Sequence, residues 1–372
     1  MDKASDTVHR FIRKMTMQDT HHRPLIWVLK GLRQGDTAQA MALALQIGGR
    51  VESKQLSFNS LHVVPNWLMG ASVGHLTPET RKLLRPPWPD AVVATGRRTA
   101  RAALWIKRQS GGHTKLIQIG RPRTNVKAFD VVVTTPQYGL PPGGPVMEIA
   151  LPFAIPKSVA ADELQHFAAL WHDLPRPWIL GVIGGGKFPL RLNARDLQTF
   201  GQLLSTKAAS IGGSVIVMDS PRTFAGALQI VAQHISTPFW QGARGQGPNP
   251  YQAALKLCDQ LVVTSDSVSM VSEMLQTEKP VWIFKLAQSA LAISWPAESG
   301  MAAALARGGI LHPPRNVDKF IRMLMDKKLI GDLSRPDQPF SEMDVTSDHT
   351  AVVDRIRRLL RVSESTSTSF SN

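Results

Sequence analysis

The chain has 372 residues, which suits two domains at ~150 residues each, and 43% hydrophobic residues with nine tryptophans exclude collagen-like, coiled-coil and disordered classes. With 43 Lys and Arg against 28 Asp and Glu, the net charge is +15, which predicts attraction to anionic partners. The lone cysteine, Cys258, excludes an intramolecular disulfide or a cysteine-based zinc site and fits a reducing compartment. In residues 1–24, Val8, Phe11, Ile12 and Met15 fall at helical spacing against His9, Arg10, Arg13 and Lys14. This basic segment reads either as a docked terminal helix or as a peripheral contact with an anionic membrane. No secretory signal pattern and no membrane-spanning apolar run occurs, so a cytoplasmic protein is expected, with the inner membrane face as the peripheral alternative.

Short β-branched apolar runs then recur at Leu25–Leu29, Leu61–Val64, Ala91–Ala94, Leu116–Ile119 and Val131–Thr134. They read as buried parallel strands, with crossover helices at Thr37–Ile47 and Arg98–Lys107. The Pro/Gly-rich stretch Tyr138–Pro145 and the Pro152–Pro156 segment suit a loop and a linker, which places a boundary near 155. Over 156–335 the alternation restarts, with strands at Trp178–Ile183, Ser214–Met218, Leu261–Thr264 and Val281–Phe284 and helices near Asn193–Lys207, Pro221–His234 and Ser267–Leu275. An amphipathic helix is expected at 348–362, and the Ser/Thr-rich 363–372 reads as a disordered tail. The fold class is therefore α/β, two Rossmann-like doubly wound parallel-sheet domains, at 25–155 and 156–335, facing a central cleft.

Candidate chemistry gathers after the strands. Following Leu261–Thr264, the run Ser265-Asp266-Ser267-Val268-Ser269 turns into a helix whose first N–H groups attract phosphate, and Glu273, on the face of Ser269, suits ribose hydroxyls. The plain alternative is a capped helix with a solvated glutamate. After Ile183 come Gly184, Gly185, Gly186 and Lys187, a Gly-rich turn and a cation, in neither the Walker nor the dinucleotide spacing. Arg222 stands at the start of a predicted helix, where its charge opposes the dipole unless an anion offsets it. In the first half, Gly96, Arg97 and Arg98 follow one strand and Arg121 and Arg123 another, a clustering that suggests an anionic ligand or simply solvated loops. Asp36 and Gln39 after Gly35 fit a capping box, with Asp36 as general base the functional alternative. Histidines lack metal-ligand spacing, so no metal is expected, and no other cofactor is expected either; the absence of a Gly-x-Ser-x-Gly elbow removes the main sequence cue for an α/β-hydrolase.

The runs Gly35-Asp-x-x-Gln39, Gly96-Arg-Arg98, Ser220-Pro-Arg-Thr223, Asn249-Pro-Tyr251, Thr264 to Glu273 and Lys279-Pro-Val281 together resemble the Elongated-Mitochondria family over about residues 25–330. That family is named for a plant mitochondrial fission factor, and many bacterial members are described as candidate glycosyltransferases. A more distant similarity is to MurG-like GT-B enzymes. The resemblance implies a GT-B fold with an acceptor-side N-terminal domain, a nucleotide-sugar-side C-terminal domain, and a final helix crossing back to the first. By that analogy Gly184–Gly186 face the diphosphate, with Ser265, Ser267 and Ser269 at the phosphate or sugar edge, Glu273 at the ribose, and Lys187, Arg222, Asn249 and Asp266 also on the donor side. Gly35, Gln39, Gly96, Arg97, Arg98, Arg121 and Arg123 fall on the acceptor or phosphate side. The chain departs from the family at Leu29-Lys-Gly-Leu-Arg-Gln-Gly35, where an Asp-Gly-Lys-Pro-Gly type of loop is usual, which leaves the acceptor and the base open.

The leading expectation is a glycosyltransferase that moves a sugar from a nucleoside-diphosphate sugar to an acceptor, lipid-linked among the alternatives, at the inner membrane surface. A non-catalytic adaptor on the same scaffold is the competing expectation. Nucleic acid is not an expected partner, because the arginines are spread over loops and helices without an aromatic-studded recognition motif.

Overall fold

A computed structural model describes residues 23–32, 34–64, 66–155, 158–186, 188–242, 248–288, 300–310, 315–335, 340 and 347–360. The expected N-terminal amphipathic segment, Lys187 and the 363–372 tail lie outside the described residues.

The first sheet comprises β1 (Leu25–Lys30), β2 (Arg50–Gln55), β3 (Ala91–Thr95), β4 (Lys115–Ile119), β5 (Val131–Thr134) and β6 (Val146–Glu148), in the order β2-β1-β3-β4-β5-β6. The pairings of β1 with β2 and β3, and of β3 with β4, are parallel. The second sheet contains β7 (Trp178–Ile183), β8 (Ser214–Asp219), β9 (Phe239–Gly242), β10 (Gln260–Thr264), β11 (Val281–Phe284) and β12 (Gly331–Asp332). Its order is β12-β11-β10-β7-β8-β9, with every pairing parallel. The α/β class with two doubly wound sheets is therefore as expected.

The apolar runs are continuous because the strands are covered on both faces. In β7, Leu180 and Val182 pack in one cluster with Leu261 and Val263 of β10, while Ile179 and Ile183 pack in another with Val262. Burying each such side chain contributes about 1.5–3 kcal/mol, so a one-residue slip of register would be costly.

Two expected elements differ. Leu61–Val64 is not a strand: Ser60–Val63 is a 3-10 turn opened by Asn59, whose side chain accepts the Leu61 amide. The neighbour of β1 is instead β2, an edge strand whose Arg-Val-Glu-Ser-Lys-Gln sequence carries charge and no apolar run. The helix expected from Pro221 covers only Ala227–Ala232, since Pro221–Gly226 forms turns. Arg222 thus stands in a turn and does not oppose a helix dipole.

The chain divides into two compact units, Met1–Val132 with His349–Asn372, and Val133–Asp348. This division passes through β5, ahead of the linker expected near 155. The Pro/Gly-rich run is a connection between β5 and β6, and pairing continues beyond it, with the Ile149 N–H donating to Thr134 O at 2.8 Å. In the first unit, α1 (Gln34–Ile47) follows β1 and α2 (Gly96–Gln109) follows β3. The C-terminal helix Ser347–Leu360 buries Val352, Val353 and Ile356. Its Arg357 donates to Gln46 O at 2.8 Å and Ile47 O at 3.1 Å, covering carbonyls left open at the end of α1. Among the described residues no helix is long and apolar enough to cross a membrane.

Candidate functional site

In the second sheet the chain runs from β7 outward to β8 and β9, then returns to β10 on the other side of β7. This makes the carboxyl ends of β7 and β10 a topological switch point, the usual ligand position in open α/β sheets. Val182 pairs in register with Val263, and Ile183 with Asp219, so the loops leaving β7, β8 and β10 emerge side by side.

The three loops are knit by side chains (or backbone) of the second unit. Gly185 and Gly186 N–H both donate to Asp266 Oδ2, at 2.8 and 3.0 Å. Thr264 Oγ1 donates to Asp266 Oδ1 at 2.7 Å and accepts the Gly184 N–H at 2.8 Å. From the β8 loop, Thr223 Oγ1 donates to the carbonyls of Ile183 and Gly184, each at 2.9 Å, and accepts the Ser220 amide at 3.0 Å. Every amide of the glycine run is therefore taken by a protein acceptor. The expectation that these amides face a diphosphate meets a resident carboxylate, and Asp266 is a fastener of the loop in this structure.

Packing also accounts for the glycines. A Cβ on Gly184 would lie 2.1 Å from Asp266 Oδ1, and one on Gly185 would lie 2.6 Å from Arg222 Cβ and 2.9 Å from its carbonyl oxygen. These close approaches, and not a ligand, require the missing side chains.

What stays open lies beside this knot. Ser265 is tied inward, its Oγ accepting the Leu286 amide at 3.0 Å and its own amide bonded to Phe284 O at 3.0 Å. Ser267 is buried at the N-cap of α3 (Val268–Leu275) and makes no side-chain cap, and among the described residues no side chain accepts the first amides of the helix. Ser269 is exposed one turn before Glu273, and Arg222 is exposed on the neighbouring turn. Glu273 is half-buried and accepts from Gln252 Nε2 at 3.4 Å. Tyr251 Oη is shut from solvent near this carboxylate, and burial, then its interaction with Glu273, push its ionisation up. Asn249 is exposed and precedes Pro250, the N-cap of the Tyr251–Leu257 helix, and its Oδ1 accepts the Tyr251 amide at 3.0 Å. An uncapped helix start, a guanidinium and a carboxylate one turn along can together bind a phosphate ester and a diol.

The first-half candidates fall elsewhere, within the first unit. Helix α1 begins at Gln34, so Gly35 and Asp36 lie in its first turn and not in a loop before it. The side chain of Asp36 lies outside the described residues, Gly35 is exposed and Gln39 is half-buried. Gly96, Arg97 and Arg98 open α2, while Arg121 is buried and Arg123 exposed beyond β4. Sequence reasoning missed Asn66, His75, Arg101 and Gln118, all buried around these arginines. One signal was available: Arg101 interrupts the buried face Ala100, Ala102, Ala103 and Ile106 of α2. Among the described residues no group of three or more His, Cys, Asp or Glu could hold a metal ion.

Two doubly wound α/β sheets, the second carrying a switch-point site, define a two-unit α/β protein. The chain belongs to the mitochondrial fission ELM1 family, whose model matches residues 34–313. The mitochondrial fission protein ELM1 of Arabidopsis thaliana is 29% identical over 242 residues, 58% of this chain and 56% of that protein. The match thus spans little more than half of the plant relative. An uncharacterised protein of Rickettsia prowazekii is 26% identical over 302 residues, 70% of this chain and 82% of its own. Similar solved structures include UDP-GlcNAc 2-epimerase from Neisseria meningitidis bound to UDP-GlcNAc, at TM-score 0.47 and 10% identity, covering 90% of this chain and 99% of that one. MurG of Acinetobacter baumannii is similar at TM-score 0.42 and 12% identity, covering 91% and 92%.

Proposed function

We propose that the second unit binds a nucleoside-diphosphate sugar and that the protein is a glycosyltransferase. The observation that carries this reading is the start of α3: an uncapped first turn at a switch point, with Glu273 one turn past Ser269 on the same helix. In this reading the α3 amides and Arg222 hold the diphosphate and stabilise it as it departs, and the Glu273 carboxylate accepts the ribose hydroxyls. Gln252 holds that carboxylate in place. Asp266 keeps the glycine loop shaped and close to Arg222, and the loop's own amides take no part.

The test is titration calorimetry of the full chain with UDP, GDP, TDP, CMP and ADP. Binding of one of them, lost in Glu273→Ala while the melting temperature is kept, supports the reading. Failure of all five at millimolar concentration overturns it.

One observation favours a second reading, a non-catalytic adaptor on the same scaffold. The amides of Gly185 and Gly186 are closed on Asp266, so the turn offers a ligand no donor. An adaptor predicts that a Glu273→Ala, Arg222→Ala double variant keeps full function in a cell lacking the native protein, whereas a transferase predicts its loss.

A further inference from the structure

The motifs Asn249-Pro250-Tyr251 and Lys279-Pro280-Val281 are separate in sequence, and in the second unit they grip opposite ends of one short helix, Tyr251–Leu257. At its start, Asn249 Oδ1 accepts the Tyr251 amide at 3.0 Å and Pro250 O accepts the Ala254 amide at 2.8 Å. At its end, Lys279 Nζ donates to the carbonyls of Leu255, Lys256 and Cys258 at 2.9, 2.6 and 2.6 Å. A helix leaves its last carbonyls open, and a cation there also suits the helix dipole. Lys279 is placed in turn by Pro280, whose carbonyl accepts the Leu261 amide of β10 at 2.9 Å.

The helix held in this way is set against α3. Ala253, Ala254 and Leu255 are buried in the same core cluster as Val271 and Met274 of α3, and the Tyr251 ring packs against that cluster. Two consecutive side chains of the short helix thereby meet Glu273. Gln252 Nε2 donates to its Oε2 at 3.4 Å. Tyr251 Oη is shut from solvent beside the same carboxylate, and burial, then the interaction with Glu273, push its ionisation up, so the hydroxyl keeps its proton. A hydroxyl removed from water costs free energy unless it finds an acceptor, and an ionised carboxylate can take several donors at once.

We propose that Tyr251 is a positioning residue whose Oη–H donates to the Glu273 carboxylate and, with Gln252 Nε2, fixes the direction in which that carboxylate points. Asn249 and Lys279 act at one remove, by fixing the helix that carries both donors. A glutamate side chain is flexible, and a free one loses that freedom when it engages a ligand. One already held by two donors presents its remaining lone pairs to a pair of vicinal hydroxyls without that cost. The role toward a ribose rests on the nucleotide-binding reading; the contact between Tyr251 and Glu273 does not.

The contact is tested without ligand by a double-mutant cycle between Tyr251→Phe and Glu273→Ala, read by urea unfolding of the full chain. Tyr251→Phe keeps the ring packing and removes only the hydroxyl. The two changes are expected to be coupled about fivefold or more in the folding equilibrium, and additive changes overturn the contact. What the contact does is tested by calorimetric titration with UDP, GDP, ADP and CMP, each against its 2′-deoxy form. The wild-type chain is expected to favour a ribonucleotide, and Tyr251→Phe to shrink that preference about threefold or more while the affinity for the deoxy form changes little. A structural loosening weakens both forms alike. That result, an unchanged preference in Tyr251→Phe, or no ribose preference in the wild-type chain overturns the positioning role. Binding of no nucleotide overturns the nucleotide reading and this role with it, while the cycle still decides the contact.

Discussion

The Asp266 carboxylate sits where it closes the amide of Gly185, with the N–H donating to Oδ2 at 2.8 Å, and so fills a turn whose sequence advertises a phosphate. A carboxylate in such a nest satisfies donors that would otherwise be orphaned, and it fixes the loop against β10 without a ligand.

Replacing that carboxylate exposes its contribution. Asp266→Ala leaves the amides of Gly185 and Gly186 and the Thr264 hydroxyl without their acceptor, and a loss of about 2–4 kcal/mol is expected. Urea unfolding monitored by tryptophan fluorescence measures it. A loss within experimental error would show that the loop is held by other contacts.

Arg222 is expected to read charge and not base. Arg222→Ala should weaken UDP binding about tenfold while leaving uridine binding unaltered, since a guanidinium contact to phosphate is worth about 1.5–3 kcal/mol. Calorimetry on the nucleoside and the diphosphate separates the two. Equal losses would move Arg222 away from the phosphates.

His75 ties stability to acidity. Burial, opposed by its bond to the Arg98 carbonyl and aided by nearby cations, pushes it down from 6.5 to about 4. Between those values the unfolded chain binds a proton that the folded one refuses, so stability rises with pH through the window and falls as pH drops from 6.5 towards 4. The full effect is roughly 3 kcal/mol. Urea unfolding at a series of pH values should show this slope, and His75→Gln, which keeps a donor for Arg98 O, should flatten it.

Asn66 joins three parts of the first unit. Its Nδ2 donates to Arg97 O and Pro122 O, both at 2.8 Å, and its Oδ1 accepts from Arg101. Asn66→Ala should cost about 2–4 kcal/mol, because it leaves a buried guanidinium and two carbonyls short of partners. Asn66→Asp keeps an acceptor for Arg101 and puts a carboxylate beside two carbonyls, and is expected to fall between the two. A thermal unfolding series orders the three proteins.

Much of the fold was legible from local pattern. Trp178–Ile183 and Val281–Phe284 are strands with the expected bounds because each is buried on both faces and so is apolar at every position. The edge strand β2 was illegible for the converse reason: exposed on one side, it carries charges that no apolar periodicity marks. Around the candidate sites, sequence named Gly184–Gly186, Asp266 and Glu273 by type and place. It could not pair Asp266 with glycines some eighty positions earlier, since nothing local links them.

The sequence by itself determined the two α/β sheets, the family, and the loops in which polar chemistry gathers, because strand burial, turn residues and motif order are properties of neighbouring residues. Only the tertiary structure decided what those groups do to one another. The register of β7 between β10 and β8 makes Asp266 the acceptor of the glycine amides and leaves α3 open beside them. The folding of Asn66 and His75 against α2 sets the Arg101 guanidinium on Asn66 Oδ1 and the His75 ring on the Arg98 carbonyl. Hydrogen bonds and charges act through distance in space, and the chain brings these residues together only when its sheets have formed.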